Sequence, residues 1–182
     1  FARKHGKTAS FMPYLGNDYP GIGGHLCLSL KDAKTGKNLF SSPDGKTNAL
    51  AGQFIAGMME IVPEAFAMCT STVNAYRRLA PGSWAPKSLT WAEHPFTVAV
   101  RSAPHAGPSA RLEFRVPPAD CNTYLTMAMM LGAGLDGIEL ARRGAELDPA
   151  MKIVFITGFA GVALSAGGPT PAGAKVLSKP FH

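Results

Sequence analysis

Long apolar runs are missing from this chain of 182 residues. The most apolar stretch, Met127 to Leu135, falls well short of the roughly 18 residues that a membrane helix requires, so no membrane partner is expected. Cysteine is scarce. Cys27, Cys69 and Cys121 are odd in number and show no CxxC spacing, which argues against a disulfide framework and a zinc site and favours a reducing, cytoplasmic setting. Internal repeats and low-complexity tracts are absent. No aromatic residues interleave with a basic run, so the excess of 18 Lys and Arg over 12 Asp and Glu is not patterned for nucleic acid. A site for anionic small molecules accounts for the net charge of +6 equally well. No charged-then-apolar leader suggests secretion, and a first residue of Phe1 carries the expectation of a sequence that begins inside a longer protein.

What is present is an ordinary globular composition, 46% hydrophobic and 16% charged. Residues 8–14 and 22–30 have strand character, and residues 37–48 form a polar, turn-rich loop. Leu50, Phe54, Ile55, Met58 and Ile61 repeat at helical spacing until Pro63 interrupts them. Further strands are expected at 89–92, 97–101 and 111–116, with a Pro/Gly-rich loop at 102–110 and a long helix from about Asn122 to Arg143. The texture changes after Asp148-Pro149, where MKIVFIT is apolar on both faces and AKVLS follows as a second short strand.

Two strands carry the most chemistry. In IGGHLCLSL, alternation puts His25, Cys27 and Ser29 on one face and Leu26, Leu28 and Leu30 on the other. In RLEFRV it groups Arg111, Glu113 and Arg115 opposite Leu112, Phe114 and Val116. By pattern alone the first is a half-solvated strand and the second a surface ion-pair ladder of little energetic worth. Two loops stand out as well. YPGIGG, Tyr19 to Gly24, allows close backbone approach to a ligand or makes a simple turn. NAYRRLAPGSWAP, Asn74 to Pro86, sets Arg77, Arg78 and Trp84 in a short non-periodic span where the arginines are functional or merely solvated.

The segments GKTASFMP, GIGGHLCLSL, GKNLF, FIAGMM, TVNAYRRLAPGSWAP, ARLEFRVP and NTYLTMAMMLGAGLDGIE stand in the order found in glutamine synthetases, over about residues 4–139. The chain resembles the catalytic domain of that family, and its wording is nearest the divergent type III-like branch, which includes ligases that join alkylamines to glutamate. The resemblance implies an α+β fold, part of an antiparallel barrel with helices. It also implies ATP-dependent ligation of ammonia or an alkylamine to the γ-carboxylate of glutamate through a γ-glutamyl phosphate. The ion would be Mg²⁺ or Mn²⁺, with ATP as co-substrate and a homo-oligomer as the parent assembly. His25 and Glu113 match metal ligands. Gly21 matches the glycine beside the glutamate substrate. Arg78 and Arg115 match the arginines that hold the substrate carboxylate and the transferring phosphoryl group, a task suited to their forked geometry. Cys27, Ser29, Arg101 and Arg111 fall at positions that line the nucleotide.

The departures are equally plain. Cys27 replaces a second histidine, Trp84 stands where an acidic gate is usual, and Pro95-Phe96-Thr97 replaces Asn-Arg-Thr and so removes an arginine. The upstream glutamate-bearing strands of the family are not in this sequence, which gives the expectation that the chain alone is inactive. LDGIELARRGAELDPAMKIVFIT with AKVLSKPFH resembles the second half of a response-regulator receiver domain, Thr157 matching its phosphate-sensing hydroxyl and Lys179-Pro180 its lysine and proline. The expected division is a ligase-like piece at 1–140 and a receiver-like piece at 141–182. The alternative function is a non-catalytic nucleotide- or protein-binding module with a signalling tail.

Overall fold

The computed structural model describes residues 1–80 and 82–147, together with the backbone of two strands at 154–157 and 175–178. A mixed α+β core is built on an open four-stranded sheet in the order β1 (Leu26–Leu28), β4 (Arg111–Phe114), β3 (Val100–Ala103), β2 (Trp91–Ala92). β4 is antiparallel to both of its neighbours, while β2 joins β3 in parallel, so the antiparallel expectation holds for three strands of the four. Residues 8–14 form no strand. Pro13 cannot donate to a ladder, and Tyr14 is tied instead to a side chain, its N–H donating to Asn74 Oδ1 at 2.9 Å while Asn74 Nδ2 donates back to Tyr14 O at 3.0 Å. The strand expected over 22–30 shrinks to Leu26–Leu28, with only an isolated bridge from Gly23 to Pro118 before it.

The alternation read from the sequence sets the layers. Leu112 and Phe114 are wholly buried, and Leu26, Leu28 and Leu30 pack on the same core with Val100. Against that face lie α1 (Ala49–Ile61) and α4 (Thr123–Leu147), the first supplying Phe54, Ile55 and Met58 and the second Met129, Met130 and Ala133. Each such side chain taken from water contributes about 1.5–3 kcal/mol. Both helices start at an asparagine cap: Asn48 Oδ1 accepts from Ala51 N at 2.9 Å and Asn122 Oδ1 from Leu125 N at 3.1 Å. Two short helices, α2 (Phe66–Cys69) and α3 (Val73–Arg78), lead from α1 back to the sheet.

The α1–α4 contact is made by backbone. A Cβ on Gly137 would stand 2.5 Å from Gln53 O, and one on Gly57 would stand 2.8 Å from Gly137 N. α4 runs unbroken to Leu147, past the Arg143 expected as its end. Beyond it, β5 (Val154–Thr157) and β6 (Lys175–Ser178) pair in parallel, Val154 opposite Lys175 and Thr157 opposite Ser178. The short helix expected between them, and Lys179 and Pro180, lie outside the described residues.

This packing separates two kinds of helical glycine. Gly57→Ala is expected to destabilise the fold by about 2 kcal/mol or more, because the methyl group has no space. Gly52→Ala, in the same helix with nothing within 4 Å of the added carbon, is expected to stabilise by about 0.5–1 kcal/mol. Urea unfolding midpoints compare the two, and a tolerated Gly57→Ala would show that the helices do not meet through backbone.

Candidate active site

The polar face of the sheet is a charge cluster centred on Glu113. Register places Glu113 directly between Arg101 on β3 and Cys27 on β1. Arg101 donates from Nε to Glu113 Oε2 at 2.6 Å, and its Nη2 lies at the same distance from that oxygen. Arg115 Nη1 donates to Oε1 at 2.6 Å, and His25 Nδ1 stands 3.2 Å from Oε1. Glu113 is 7% exposed and Arg115 5%, so this is a buried network rather than the solvated ladder that the pattern suggested.

Arg78 enters from the end of α3. It is 3% exposed and held by carbonyls, Nη1 donating to Val116 O at 2.8 Å and Nη2 to Arg115 O at 3.1 Å. Among the described residues it has no carboxylate partner. The glycine loop makes room for it: a Cβ on Gly21 would stand 2.7 Å from Arg78 Cγ, and one on Gly23 would press on both His25 Nε2 and Arg78 Nη2. The glycines of YPGIGG are therefore space for an arginine, which a turn-only reading misses.

The cluster brings together Gly21, His25, Cys27, Arg78, Arg101, Glu113 and Arg115. Ser29 and Arg111 sit at its edge and are engaged with backbone, Ser29 Oγ donating to Ala110 O at 2.7 Å and Arg111 Nη1 to Ser109 O at 3.3 Å. Trp84 is 76% exposed, and no contact of its ring with the cluster marks it as part of the site. Phe96 was legible only as the loss of an arginine, yet the guanidinium groups of Arg101 and Arg115 lie 4.7 and 5.5 Å from its ring centre.

Charge balance decides what the cluster can bind. Three guanidinium groups meet one carboxylate, leaving a surplus of positive charge in a partly dry site, the condition for holding a carboxylate or phosphate. Burial opposes ionisation of Glu113, but the Arg101 hydrogen bond and the charges of Arg115, Arg101 and His25 outweigh it and hold its carboxyl below the ordinary range. Burial and the nearby Arg115 charge push His25 below its usual value, against the opposing pull of Glu113. A divalent ion is a poor fit to these residues alone. Mg²⁺ takes about six ligands, mostly oxygen. Here both Glu113 oxygens are committed to arginine, and no group of three His, Cys, Asp or Glu side chains gathers among the described residues.

A buried guanidinium surplus thus lies on the polar face of an α+β sheet. The family model for the glutamine synthetase catalytic domain matches residues 1–154, and the chain belongs to that family. The match runs past the division expected at 140. Among curated relatives, the chain is 39% identical over 140 residues to a glutamate–isopropylamine ligase from a Pseudomonas species and to a glutamine synthetase of Halobacterium salinarum. It is 33% identical over 138 residues to the gamma-glutamylputrescine synthetase of Escherichia coli. Each alignment covers 76% of this chain, which spans only about 30% of those relatives' length. Among the described residues no helix is long and apolar enough to cross a membrane.

Two outcomes test the cluster. Glu113→Gln strands buried arginines and is expected to cost about 3 kcal/mol of stability. The lowered values of His25 and Glu113 mean that unfolding takes up protons. Stability is therefore greatest above the unfolded histidine value of 6.5, falls as acid titrates His25, and falls again below 4.5 as Glu113 is protonated. The urea midpoint should drop from about pH 7 to about pH 5, and drop less in His25→Asn. Equal drops would assign the effect to other histidines.

Proposed function

We propose that this chain forms the anion-holding face of an ATP-dependent ligase that joins ammonia or an alkylamine to the γ-carboxylate of glutamate through a γ-glutamyl phosphate. The observation that carries the reading is Arg78, buried and held by carbonyls with no carboxylate beside it among the described residues. Burying a cation is costly unless an anion completes the site. Arg78 and Arg115 are the groups placed to take the glutamate carboxylate and the transferring phosphoryl oxygens. Gly21 allows the close approach. Arg101, with Ser29, Cys27 and Arg111 at the edge, faces the nucleotide. As charge spreads over the phosphoryl oxygens in transfer, fixed guanidinium groups meet it without reorganising. Relatives named for isopropylamine and putrescine stand beside a glutamine synthetase whose identity equals that of the first, so the proposal spans ammonia and larger amines.

Mg²⁺ or Mn²⁺ belongs to the same proposal only as an ion for which this chain supplies at most His25 and Glu113; no step is derived through it. A homo-oligomeric parent is consistent with the second apolar side of α4, where Tyr124, Leu131 and Leu135 are 83, 36 and 49% exposed. For the tail, the receiver-like reading of residues 141–182 rests on its sequence resemblance alone, and the ligase family match runs into it as far as residue 154. A second function, a non-catalytic module that binds nucleotide, is favoured by one observation: the commitment of both Glu113 oxygens to arginine.

Phosphate release with glutamate, ATP and either ammonia or methylamine tests whether the chain turns over by itself, and turnover would overturn the non-catalytic reading. The chain alone is expected to give no turnover that depends on both glutamate and the amine. Calorimetry should show that it binds ATP, with Arg115→Ala weakening binding by about 1.5–3 kcal/mol and Lys46→Ala, in the polar loop, by far less. Equal losses from both changes would place the anion site elsewhere.

A further inference from the structure

Phe96 lies in the loop between β2 and β3, half exposed at 51%, and stacks on no other aromatic ring among the described residues. Core packing does not explain it. Its ring carries two guanidinium groups at once, Arg101 at 4.7 Å and Arg115 at 5.5 Å from the centre. Its carbonyl accepts from Arg115 Nε at 2.8 Å. Three residues on, Ala99 is fully buried and its carbonyl accepts from Arg115 N at 2.8 Å, so the loop grips Arg115 by main chain and side chain together.

We propose that Phe96 is a positioning residue whose ring is a shared cation–π base for Arg101 and Arg115, fixing both guanidinium groups against Glu113 so that they present one rigid cationic face to a polyphosphate. The ring's negative face attracts both cations. Glu113 takes Nε and Nη2 of Arg101 but only Nη1 of Arg115, whose Nε is held by the Phe96 carbonyl; the ring beside both groups limits the freedom that remains. The ligand part of this proposal rests on the anion-holding role proposed above, and the positioning part does not.

Shape and ring charge can be tested separately. In Phe96→Leu the ring is lost. Incorporation of 3,4,5-trifluorophenylalanine at position 96 keeps the shape and drains the negative face, and Phe96→Tyr keeps both. Arginine-selective NMR reads hydrogen exchange at Arg115 Nε–H, and calorimetry reads binding of inorganic triphosphate. Exchange should accelerate, and triphosphate affinity fall about five- to thirtyfold, for leucine and for the fluorinated ring, with tyrosine within about twofold of the native chain. A fluorinated chain with native exchange would overturn the positioning role, whatever becomes of the leucine variant's stability. Altered exchange with triphosphate affinity unchanged would overturn the presentation of the arginines to polyphosphate. A native chain that fails to bind triphosphate at all would defeat the anion-holding reading and the polyphosphate clause, while the exchange data would still decide whether Phe96 positions the arginines.

Discussion

The carboxylate of Glu113 is the constraint on which the polar half of the molecule depends. It sits on the inner strand β4, and each of its oxygens is spoken for by an arginine from a different direction: Arg101 across the sheet and Arg115 two residues on, just past the end of β4. In water such pairs are worth little. Here, at 7% exposure, the same pairs fix the rotamers of two long side chains, because breaking either leaves a charge in a dry place. The neighbouring strands can then meet β4 in only one register, since a slip by one residue would carry Glu113 into the layer of Leu112 and Phe114.

The apolar half is organised by a different economy of space. α1 and α4 touch through Gly57 and Gly137, with Gly134 giving way to the ring of Phe54. This close approach is what lets Met130 and Met58 reach the sheet as one layer. The strand faces, α1 and α4 were all legible in the sequence, because each is long enough for its period to show. Residues 8–14 misled because apolar content without alternation does not make a strand, and the segment finds its hydrogen bonds in Asn74 instead.

The site was legible in part, and for an instructive reason. His25, Glu113 and Arg115 alternate along strands, so their common face follows from period two. Arg78 arrives from a helix 37 residues before the Arg115 carbonyl it holds, and no local pattern announces that meeting. What signal there was lay in the glycines of one loop: a Cβ on Gly21 or Gly23 would meet Arg78. Phe96 shows the opposite failure. Read as a missing arginine it looks like a loss, whereas its ring lies beside two of the three arginines of the cluster.

Arg78 also ties the economy of folding to the composition of the solution. A guanidinium group satisfied only by carbonyls keeps its charge unneutralised inside the protein, and the folded state carries that cost whenever the site holds no anion. Any small oxyanion that lodges beside it relieves the cost and, by mass action, draws the chain toward the folded form. On the anion-holding role proposed for Arg78, phosphate or sulfate in the medium acts as a folding additive as well as a competitor.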